Sequence, residues 1–449
     1  MLSKHLSSER GQTTVLLALA FIALLGFAAL AIDGGMVYAN RRHMQNASDA
    51  ASLAGGSAVA MYLENHYVVY SDWSCSEDRV IRAQINGTNG GEITAIRSAA
   101  VNDYSIDADI SDMDGVDTDC IQGIDNGSWI ERYIDVKTFI TSDTPTAFAH
   151  FVYNGPLRNT VEAVTRVKPR TPIAFGNAIV ALSMDCGDGG IEFDGSSGVS
   201  VTGGGIYSNS CLDTRGGVSV SVFGGFDISC RTPDCYDDHG GSGSVSPAAE
   251  EGLGRALPRE SYAVPTPDCA ERGGPDDHGN YNGDGILEPG RYDRIRILNG
   301  DHTFQPGLYC VENEVTITGG TVAGSNITLY LIGGDYTSNG NATISITAPP
   351  VRNCGAPCDT HNGLPGVLIY LADGNTGEAA LLGNEDSKYL GMVFAPDGTI
   401  QAGGTSSTMA AVNAQLIGND VKVHGTTNVV INFDDGLNYS IPASLDLNK

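Results

Sequence analysis

The sequence predicts a membrane-anchored α+β protein with a long N-terminal transmembrane helix, a small α/β membrane-proximal domain and an all-β, solenoid-like domain. Three observations carry this prediction. An uncharged apolar run occupies residues 13–32, and small residues at helical spacing follow it to about residue 62. Beyond residue 170, short runs of alternating apolar residues recur between turns rich in Gly, Asn and Ser.

The apolar run reads QTTVLLALAFIALLGFAALAI from Gln12 to Ile32. Some twenty uncharged residues at about 1.5 Å each span roughly 30 Å, the hydrocarbon thickness of a bilayer. A buried core helix is the alternative, but such helices rarely lack a polar stripe over this length. We therefore predict a cytoplasmic tail at residues 1–11 and a single transmembrane helix at residues 12–32.

Composition limits the partners and the compartment. Acidic residues outnumber basic residues 53 to 25, for a formal charge of −28, which argues against nucleic acid and anionic lipid as partners. The ten cysteines all follow the apolar run, which favours disulfides in an oxidising compartment. We therefore expect most of the chain to be extracytoplasmic. A cleaved signal peptide is the competing interpretation, disfavoured by the length of the apolar run and the lack of a small-x-small cleavage site near its end.

Residues 33–62 are predicted to form a helical extension beyond the bilayer. Ala47, Ala51, Ala54 and Ala58 recur every three or four residues and form a narrow stripe of small side chains. Such a stripe permits close approach of another element. Packing on the protein's own first domain and assembly into a multi-subunit helix bundle both fit this pattern, and the sequence leaves the two open.

The N-terminal segment as a whole resembles a known family. A Gly, an apolar span, an Asp-Gly exit, a Tyr, paired Arg and then Gln-Asn-Ala-x-Asp-Ala-Ala-x-Leu-Ala follow one another as in the TadE/TadG-like proteins of Flp pilus assembly. The matching positions are Gly11, Asp33, Gly34, Tyr38, Arg41, Arg42, Gln45, Asn46, Ala47, Asp49, Ala50, Ala51, Leu53 and Ala54. The resemblance implies a protein of the bacterial cell membrane whose N-terminal helix contacts pilus-assembly or secretion proteins.

A small membrane-proximal α/β domain is predicted at residues 63–170. Helical spacing over residues 80–104 is interrupted near residues 86–91, and three segments alternate as strands, at residues 133–139, 147–152 and 159–167. The stretch TPTAFAHFVYNGPLRNTVEAVTRV also resembles the end of the TadG-like membrane-proximal region, in which a Phe-containing turn leads into a strand.

Residues 171–449 are predicted to form the solenoid-like domain, with a β-sandwich as the alternative. A Pro-Gly-x-Tyr turn precedes a strand at Pro289 and again at Pro306, seventeen residues later. This spacing suits one coil of a β-solenoid better than a hairpin. Between about residues 231 and 285 the pattern lapses into Pro, Asp and Gly, and we predict a long insertion loop there.

The cysteines predict three disulfides, between Cys75 and Cys120, between Cys230 and Cys235, and between Cys354 and Cys358. The first pair are the only cysteines of the membrane-proximal domain, and the other two pairs are close in sequence. Zinc is the alternative for the two close pairs, but neither has a second cysteine pair at ligand spacing. The remaining four cysteines, Cys186, Cys211, Cys269 and Cys310, cannot be paired from the sequence.

One loop has the residue types of a calcium site. In the stretch DDHGNYNGDGILE, the candidate ligands are Asn280, Asn282, Asp284 and Glu288. Alternating oxygen ligands with a Gly at the sharp turn wrap calcium in loops of this kind. The first ligand is Asn rather than Asp and the twelfth position is Arg291, so an ordinary solvated turn is the alternative. The sequence predicts no other cofactor.

The sequence therefore predicts a non-enzymatic protein that supports assembly, anchoring or surface adhesion of an Flp-type pilus. Its β-rich domain would project for adhesion to a surface ligand or glycan, or for contact with pilus subunits. Nucleophile-elbow, zinc-protease and phosphate-loop motifs are absent from the sequence. The alternative is a cell-surface carbohydrate-active enzyme, since some β-solenoids carry such sites. Two carboxylates converging in a crevice along the solenoid would favour the enzyme, and a smooth polar face would favour a binding protein.

Processing after Gly11 is a separate expectation. The segment MLSKHLSSERG has the length, basic character and final Gly of a prepilin leader, after which the mature chain usually has Glu at its fifth position. Here that position is Leu16, and no acidic residue occurs between Gly11 and Asp33. We therefore expect residues 1–11 to be retained and the protein to be an anchor. A mature chain beginning at Gln12 would instead indicate a minor pilin.

Overall fold

The structure, a computed structural model, describes residues 12–70, 73–110, 113–123, 131–148, 155–186, 189–196, 198–230, 235–269, 277–338, 341–351, 363–384, 386–404, 411–425 and 428–448. The chain divides into two compact units. Unit 1 comprises Met1–Arg170 and Pro442–Lys449, and unit 2 comprises Thr171–Ile441. The chain therefore leaves unit 1 after residue 170 and returns to it for its last residues.

A single helix, α1 (Gln12–Asn65), contains both the predicted transmembrane helix and the predicted extension. Gly34 and Gly35 do not interrupt it, although Gly is less favourable than Ala in a helix by about 1 kcal/mol. The first half of α1 is long and apolar enough to cross a membrane, and its most apolar stretch is entirely unburied. A core helix would be mostly buried, so within the described residues this half is not part of a protein core.

The second half of α1 packs within unit 1, against α3 (Gly91–Val101) and the sheet of that unit. The buried side chains on this part of the helix include Met44, Ala47, Ala51, Val59 and Leu63. The alanine stripe therefore faces the protein's own domain at Ala47 and Ala51, whereas Ala54 and Ala58 remain half-buried.

Two glycines permit the closest contacts of α1. A Cβ on Gly55 would lie 2.7 Å from the carbonyl oxygen of Gly91, and a Cβ on Gly56 would lie 2.5 Å from Cγ2 of Thr165. Both distances are too short for a real side chain, so only Gly allows the helix to lie this close to α3 and to the sheet.

The described part of unit 1 also contains α2 (Asp78–Ile85) and an antiparallel sheet of four strands. In sheet order these strands are β1 (Gly115–Gln122), β2 (Arg132–Thr144), β3 (Leu157–Lys168) and β31 (Ser444–Asn448). The interrupted helix predicted over residues 80–104 corresponds to α2 and α3, and two of the three predicted strands lie within β2 and β3. Of the third, at residues 147–152, only Ala147 and Phe148 are described, and they lie beyond the end of β2; residues 149–152 lie outside the described residues.

Unit 2 is a β-solenoid of about ten coils, built in its described residues from two long sheets and one short pair of strands. The short pair is β4 (Thr171–Pro172) with β30 (Ser440–Ile441). The ten-stranded sheet contains β7 (Gly198–Thr202), β10 (Ser219–Val222), β13 (Ser244–Ser246), β15 (Gly285–Leu287), β17 (Asp301–Phe304), β19 (Gly320–Gly324), β22 (Ala342–Thr347), β25 (Lys388–Leu390), β27 (Ala411–Asn413) and β29 (Val429–Asn432).

The second long sheet has fifteen strands in the described residues, because five coils contribute two strands to it and five contribute one. These strands are β5 (Ile179–Ala181), β6 (Ile191–Gly195), β8 (Ile206–Ser208), β9 (Leu212–Gly216), β11 (Phe226–Ile228), β12 (Tyr236–Asp237), β14 (Asp277–Asn282), β16 (Gly290–Asn299), β18 (Gly307–Ile317), β20 (Ile327–Leu331), β21 (Tyr336–Ser338), β23 (Val367–Leu371), β24 (Glu378–Leu381), β26 (Met392–Gly404) and β28 (Leu416–Gly425).

The strands of both long sheets pair in parallel, which confirms the solenoid and excludes the antiparallel β-sandwich for the described strands. The spacing of the two Pro-Gly turns also matches one coil, since Gly285 pairs with His302, seventeen residues later. A Cβ on Gly307 would lie 2.6 Å from Cβ of Pro289, so the two turns stack directly on each other.

The coils do not stack in the order of the sequence. In the ten-stranded sheet the strand order is β13, β10, β7, β29, β27, β25, β22, β19, β17 and β15. The coils that come first in the sequence, which contain β7, β10 and β13, therefore stack next to β29, the last strand of this sheet along the chain. As a result, β13 and β15 lie at opposite ends of the sheet. Between them the chain must run the length of the solenoid.

Residues 252–269, which we call the strap, lie along this crossing. The backbone N–H of Leu257 donates to Oδ1 of Asn209 over 2.9 Å, and Nη2 of Arg259 lies 2.7 Å from Oδ2 of Asp373. Leu257 is buried in an apolar cluster of unit 2. The insertion predicted at residues 231–285 therefore differs from a single irregular loop, because it contains the strap as well as β12, β13 and β14.

Candidate functional site

Asp33 is the first acidic residue of α1, and it is buried, with 5% of its surface exposed. Its Oδ1 accepts a hydrogen bond of 2.7 Å from the backbone N–H of Ala147, and its Oδ2 accepts one of 3.1 Å from the backbone N–H of Phe148. A buried carboxylate needs such donors, because an unpaired charge is costly to remove from water. Asp33, the Asp of the family motif, therefore holds α1 against the start of the β2–β3 connection by hydrogen bonds.

Two more hydrogen bonds show that β2 runs beside α1 towards Asp33. Oγ of Ser48 donates to the carbonyl oxygen of Thr138 over 2.8 Å, and Nδ2 of Asn40 donates to Oγ1 of Thr144 over 2.7 Å. From the first bond to the second, residue numbers fall along α1 and rise along β2. The two elements therefore run in opposite directions, and β2 ends close to the apolar half of α1.

The other motif residues divide into two groups. Nε2 of Gln45 donates to Oδ1 of Asp49 over 2.8 Å and to the carbonyl oxygen of Glu162 over 3.2 Å, so these residues support the fold. The second group is exposed on α1 and includes Gly34, Tyr38, Arg41, Arg42 and Asn46. Of these, Tyr38, Arg42 and Asn46 recur every four residues and therefore share one face of the helix. Gly11 lies outside the described residues.

The described cysteines form four disulfides. The structure joins Cys75 to Cys120 with an S–S distance of 2.04 Å, and it also joins Cys230 to Cys235. The cysteines that the sequence could not pair are joined as Cys186–Cys211 and Cys269–Cys310. Cys354 and Cys358 lie outside the described residues.

The calcium candidates lie on one exposed edge of the solenoid. Asn280 and Asn282 are on β14, Asp284 is in the turn before β15, and Glu288 follows β15. Oδ1 of Asp284 accepts a hydrogen bond of 2.9 Å from the backbone N–H of Asp301 on the next coil. Among the described residues, no three His, Cys, Asp or Glu side chains cluster as metal ligands would. A cation bound here would therefore need Asn280 and Asn282 as ligands in addition to Asp284 and Glu288.

Unit 2 contains a charged cleft of about 210 Å³ that no motif in the sequence indicates. Its lining includes Glu192, Asp213, Arg215, Asp420 and Lys422. Lys422 pairs in register with Glu192, which pairs with Asp213, so the three side chains stand on successive coils about 4.8 Å apart. Nη1 of Arg215 lies 2.9 Å from Oε1 of Glu192, and its Nη2 lies 3.7 Å from Oδ2 of Asp213. Two carboxylates therefore converge on one guanidinium.

Comparisons with known proteins bear on the N-terminal segment. A family model described as putative Flp pilus-assembly TadE/G-like matches residues 11–58. The match confirms the resemblance read from the sequence and relates α1 to pilus assembly. It covers the greater part of α1 and none of unit 2.

A comparison with solved structures finds a similarity to the crystal structure of the competence-associated pilin ComZ from Thermus thermophilus. The identity is 9%, and the similarity covers 90% of this chain and 98% of that chain. The TM-score of 0.25 is too low to support an argument about fold or function. Among curated proteins, none matches the sequence.

Proposed function

We propose that this protein is a single-pass membrane anchor that supports the assembly of an Flp-type pilus, with units 1 and 2 outside the cytoplasm. The observation that carries the proposal is α1, whose uncharged and unburied half continues without a break into a half that packs on unit 1. The match to the TadE/G-like family covers the same helix. Four disulfides in the described residues fit an oxidising compartment.

The continuity of α1 favours a retained anchor over a cleaved signal peptide. Cleavage near Ile32 would cut within the helix, immediately before the buried Asp33. A signal peptide ends in an extended, accessible segment that a peptidase can bind. An α1 that is helical from Gln12 to Asn65 offers no such segment within the described residues.

Partner proteins of the assembly machinery would contact the exposed face of α1. Tyr38, Arg42 and Asn46 share this face, and the fold of unit 1 does not bury them. Aromatic and Arg side chains are enriched where proteins bind one another. The face is therefore a suitable contact for another helix of a pilus-assembly complex.

Co-purification from detergent-solubilised membranes tests this function. We expect pilus secretion components to accompany the full chain, and Arg41→Glu with Arg42→Glu to remove them. Lys388→Glu is the matched control, because it reverses an exposed charge in unit 2. Recovery of the protein without any pilus component, or equal loss with the control, would contradict the proposal.

For unit 2 we propose a binding role towards a surface ligand such as a glycan, with the charged cleft as the contact. The cleft also favours the alternative of a carbohydrate-active enzyme, since Glu192 and Asp213 converge there. Both carboxylates also contact Arg215, however, and such a cluster of fixed charges can bind the polar groups of a ligand without any reaction.

A polysaccharide panel separates the two roles. A binding protein retains polysaccharide without cleaving it, and Glu192→Gln weakens that retention. Release of shorter sugars by the parent protein, lost in Glu192→Gln and in Asp213→Asn, would instead establish the enzyme.

A further inference from the structure

We propose that the segment Thr146–Phe148, at the start of the β2–β3 connection, rests on the bilayer surface where α1 leaves it, with the Phe148 ring among the lipid headgroups. We call this segment the membrane-contact segment. The inference rests on the proposed function in one respect, namely that α1 crosses a bilayer.

The depth of the segment follows from the length of the apolar run. Residues 13–32 fill about 30 Å of hydrocarbon, which places Asp33 at the boundary with the headgroups. Each headgroup layer adds roughly 5–7 Å. The backbone N–H of Phe148 lies 3.1 Å from Oδ2 of Asp33, so the backbone of Phe148 lies within that layer.

The chemistry of the segment suits this position. Pro145, Ala147 and Phe148 are exposed, Phe148 by 43%, and residues 144–148 (TPTAF) carry no charge. An exposed aromatic ring next to a bilayer is stabilised when it leaves water, by about 25 cal/mol for each Å² of apolar surface removed. Aromatic side chains also favour the interface between hydrocarbon and water.

Lipid is the occupant that the structure favours over a protein partner. The segment lies beside Asp33, which directly follows the unburied apolar run that lipid would cover. The two hydrogen bonds to Asp33 hold the segment against the helix at this height. A protein partner would have to reach a surface that already adjoins the bilayer.

Val101, at the end of α3, provides a matched control. It is also uncharged and is 84% exposed. Contacts on either side of Val101 place it beside a part of α1 that lies further from the apolar run than Asp33 does. Oγ of Ser98 donates to the carbonyl oxygen of Ala50 over 3.2 Å, and the hydroxyl of Tyr104 lies 2.9 Å from Nδ1 of His43. Even His43 is ten residues beyond Asp33, about 15 Å along the helix.

The test places tryptophan at each position in the full chain and reconstitutes it in vesicles of phosphatidylethanolamine and phosphatidylglycerol. Some of the lipids carry bromine near the headgroup end of the acyl chain. We expect Phe148→Trp to add emission that is shifted to the blue and mostly quenched by bromine. The emission added by Val101→Trp should remain unquenched. Spectra of the parent protein are subtracted to remove its own two tryptophans.

Flotation of the vesicles separates the two hypotheses. Failure of the parent protein to float with the vesicles would contradict the membrane anchor. Flotation with a Phe148→Trp emission quenched no more than that of Val101→Trp would overturn the membrane-contact segment and leave the anchor standing. A Phe148→Trp emission that acrylamide quenches freely from the aqueous side, as expected for a site awaiting a protein partner, would also overturn it.

Discussion

The carboxylate of Asp33 accepts a hydrogen bond of 2.7 Å from the backbone N–H of Ala147, 114 residues away in the sequence. This bond joins the Asp-Gly exit of the apolar run to the Phe-containing turn before β3. The first segment lies within the match to the TadE/G-like family model, and the structure shows that the second segment lies against it. The relationship gives Asp33 a structural role at the end of the apolar run of α1.

Replacing Asp33 should therefore destabilise the junction. Asp33→Ala leaves two N–H donors without their acceptor, at a cost of about 1–3 kcal/mol. We expect faster hydrogen exchange at Ala147 and Phe148 in the full chain in detergent micelles. Asp49→Ala is the control, because it removes only a hydrogen bond from Gln45 on the same helix, which contributes about 0.5 kcal/mol or less. Unchanged exchange in Asp33→Ala would show that the carboxylate does not hold the segment.

Replacing Gly55 and Gly35 of α1 by Ala should change the stability of unit 1 in opposite directions. Gly55→Ala places a Cβ 2.7 Å from the carbonyl oxygen of Gly91, so we expect a loss of about 1–3 kcal/mol from overpacking. Gly35→Ala meets nothing within 4 Å and should stabilise the helix by up to about 1 kcal/mol. Thermal unfolding of unit 1, followed by helical circular dichroism, measures both. Equal shifts in the two variants would mean that α1 and α3 are not in close contact.

The sequence predicted the features that depend on neighbouring residues. The apolar half of α1, the helices α2 and α3 and the short parallel strands each follow from local spacing. Gly34 and Gly35 have a low intrinsic helix propensity and lie where the predicted transmembrane helix meets the predicted extension. The helix continues through them, since two unfavourable residues do not outweigh the fifty-four residues of α1.

The sequence did not predict the features that depend on stacking between distant coils. The order in which β7 follows β29 could not be deduced, because every coil has similar alternating residues and any two of them can pair. The cleft was missed for the same reason. Glu192 and Asp213 are ordinary outward-facing acids in their own strands and become neighbours only through the register of β6 with β9.

The disulfides should differ in their contributions to stability. Cys75 and Cys120 are 45 residues apart and Cys230 and Cys235 are 5 apart, so loop closure predicts about 4 kcal/mol for the first bridge and about 2 kcal/mol for the second. Replacing both cysteines of a pair by Ala and comparing the melting temperatures tests this order. Thiol labelling of the unreduced, denatured parent should detect no free cysteine. Label at Cys354 or Cys358 alone would contradict only the disulfide predicted there.

The calcium proposal at Asn280, Asn282, Asp284 and Glu288 has a direct test. A bound ion stabilises the folded state by mass action, so calcium should raise the melting temperature of chelator-treated protein. Asn282→Ala should abolish that shift while keeping the 2.9 Å hydrogen bond between Asp284 and Asp301. A melting temperature that calcium does not change would contradict the calcium site. Asp284 would then have only its structural role, the hydrogen bond to Asp301 on the next coil.

Buried tyrosines should make unit 2 sensitive to alkaline pH. Burial raises the pKa of Tyr389 from its ordinary value of 10 to about 12, and its hydroxyl donates to the carbonyl oxygen of Leu382 over 2.7 Å. Because the folded state holds this proton more tightly than the unfolded state, the stabilisation is complete below pH 10 and is lost as the pH rises towards 12.

Urea unfolding of unit 2 between pH 10 and pH 12 measures this loss, at about 1.4 kcal/mol for each unit of pKa difference. Tyr389→Phe should lower the stability at neutral pH by about 1 kcal/mol, because it removes the hydrogen bond, and it should flatten the decline above pH 10. Tyr38→Phe is the control, since Tyr38 is 66% exposed on α1 in unit 1. If the free energy of unfolding falls as steeply above pH 10 in Tyr389→Phe as in the parent, the pH sensitivity comes from other groups. Tyr370 is the first to examine, because burial raises its pKa to about 12 as well.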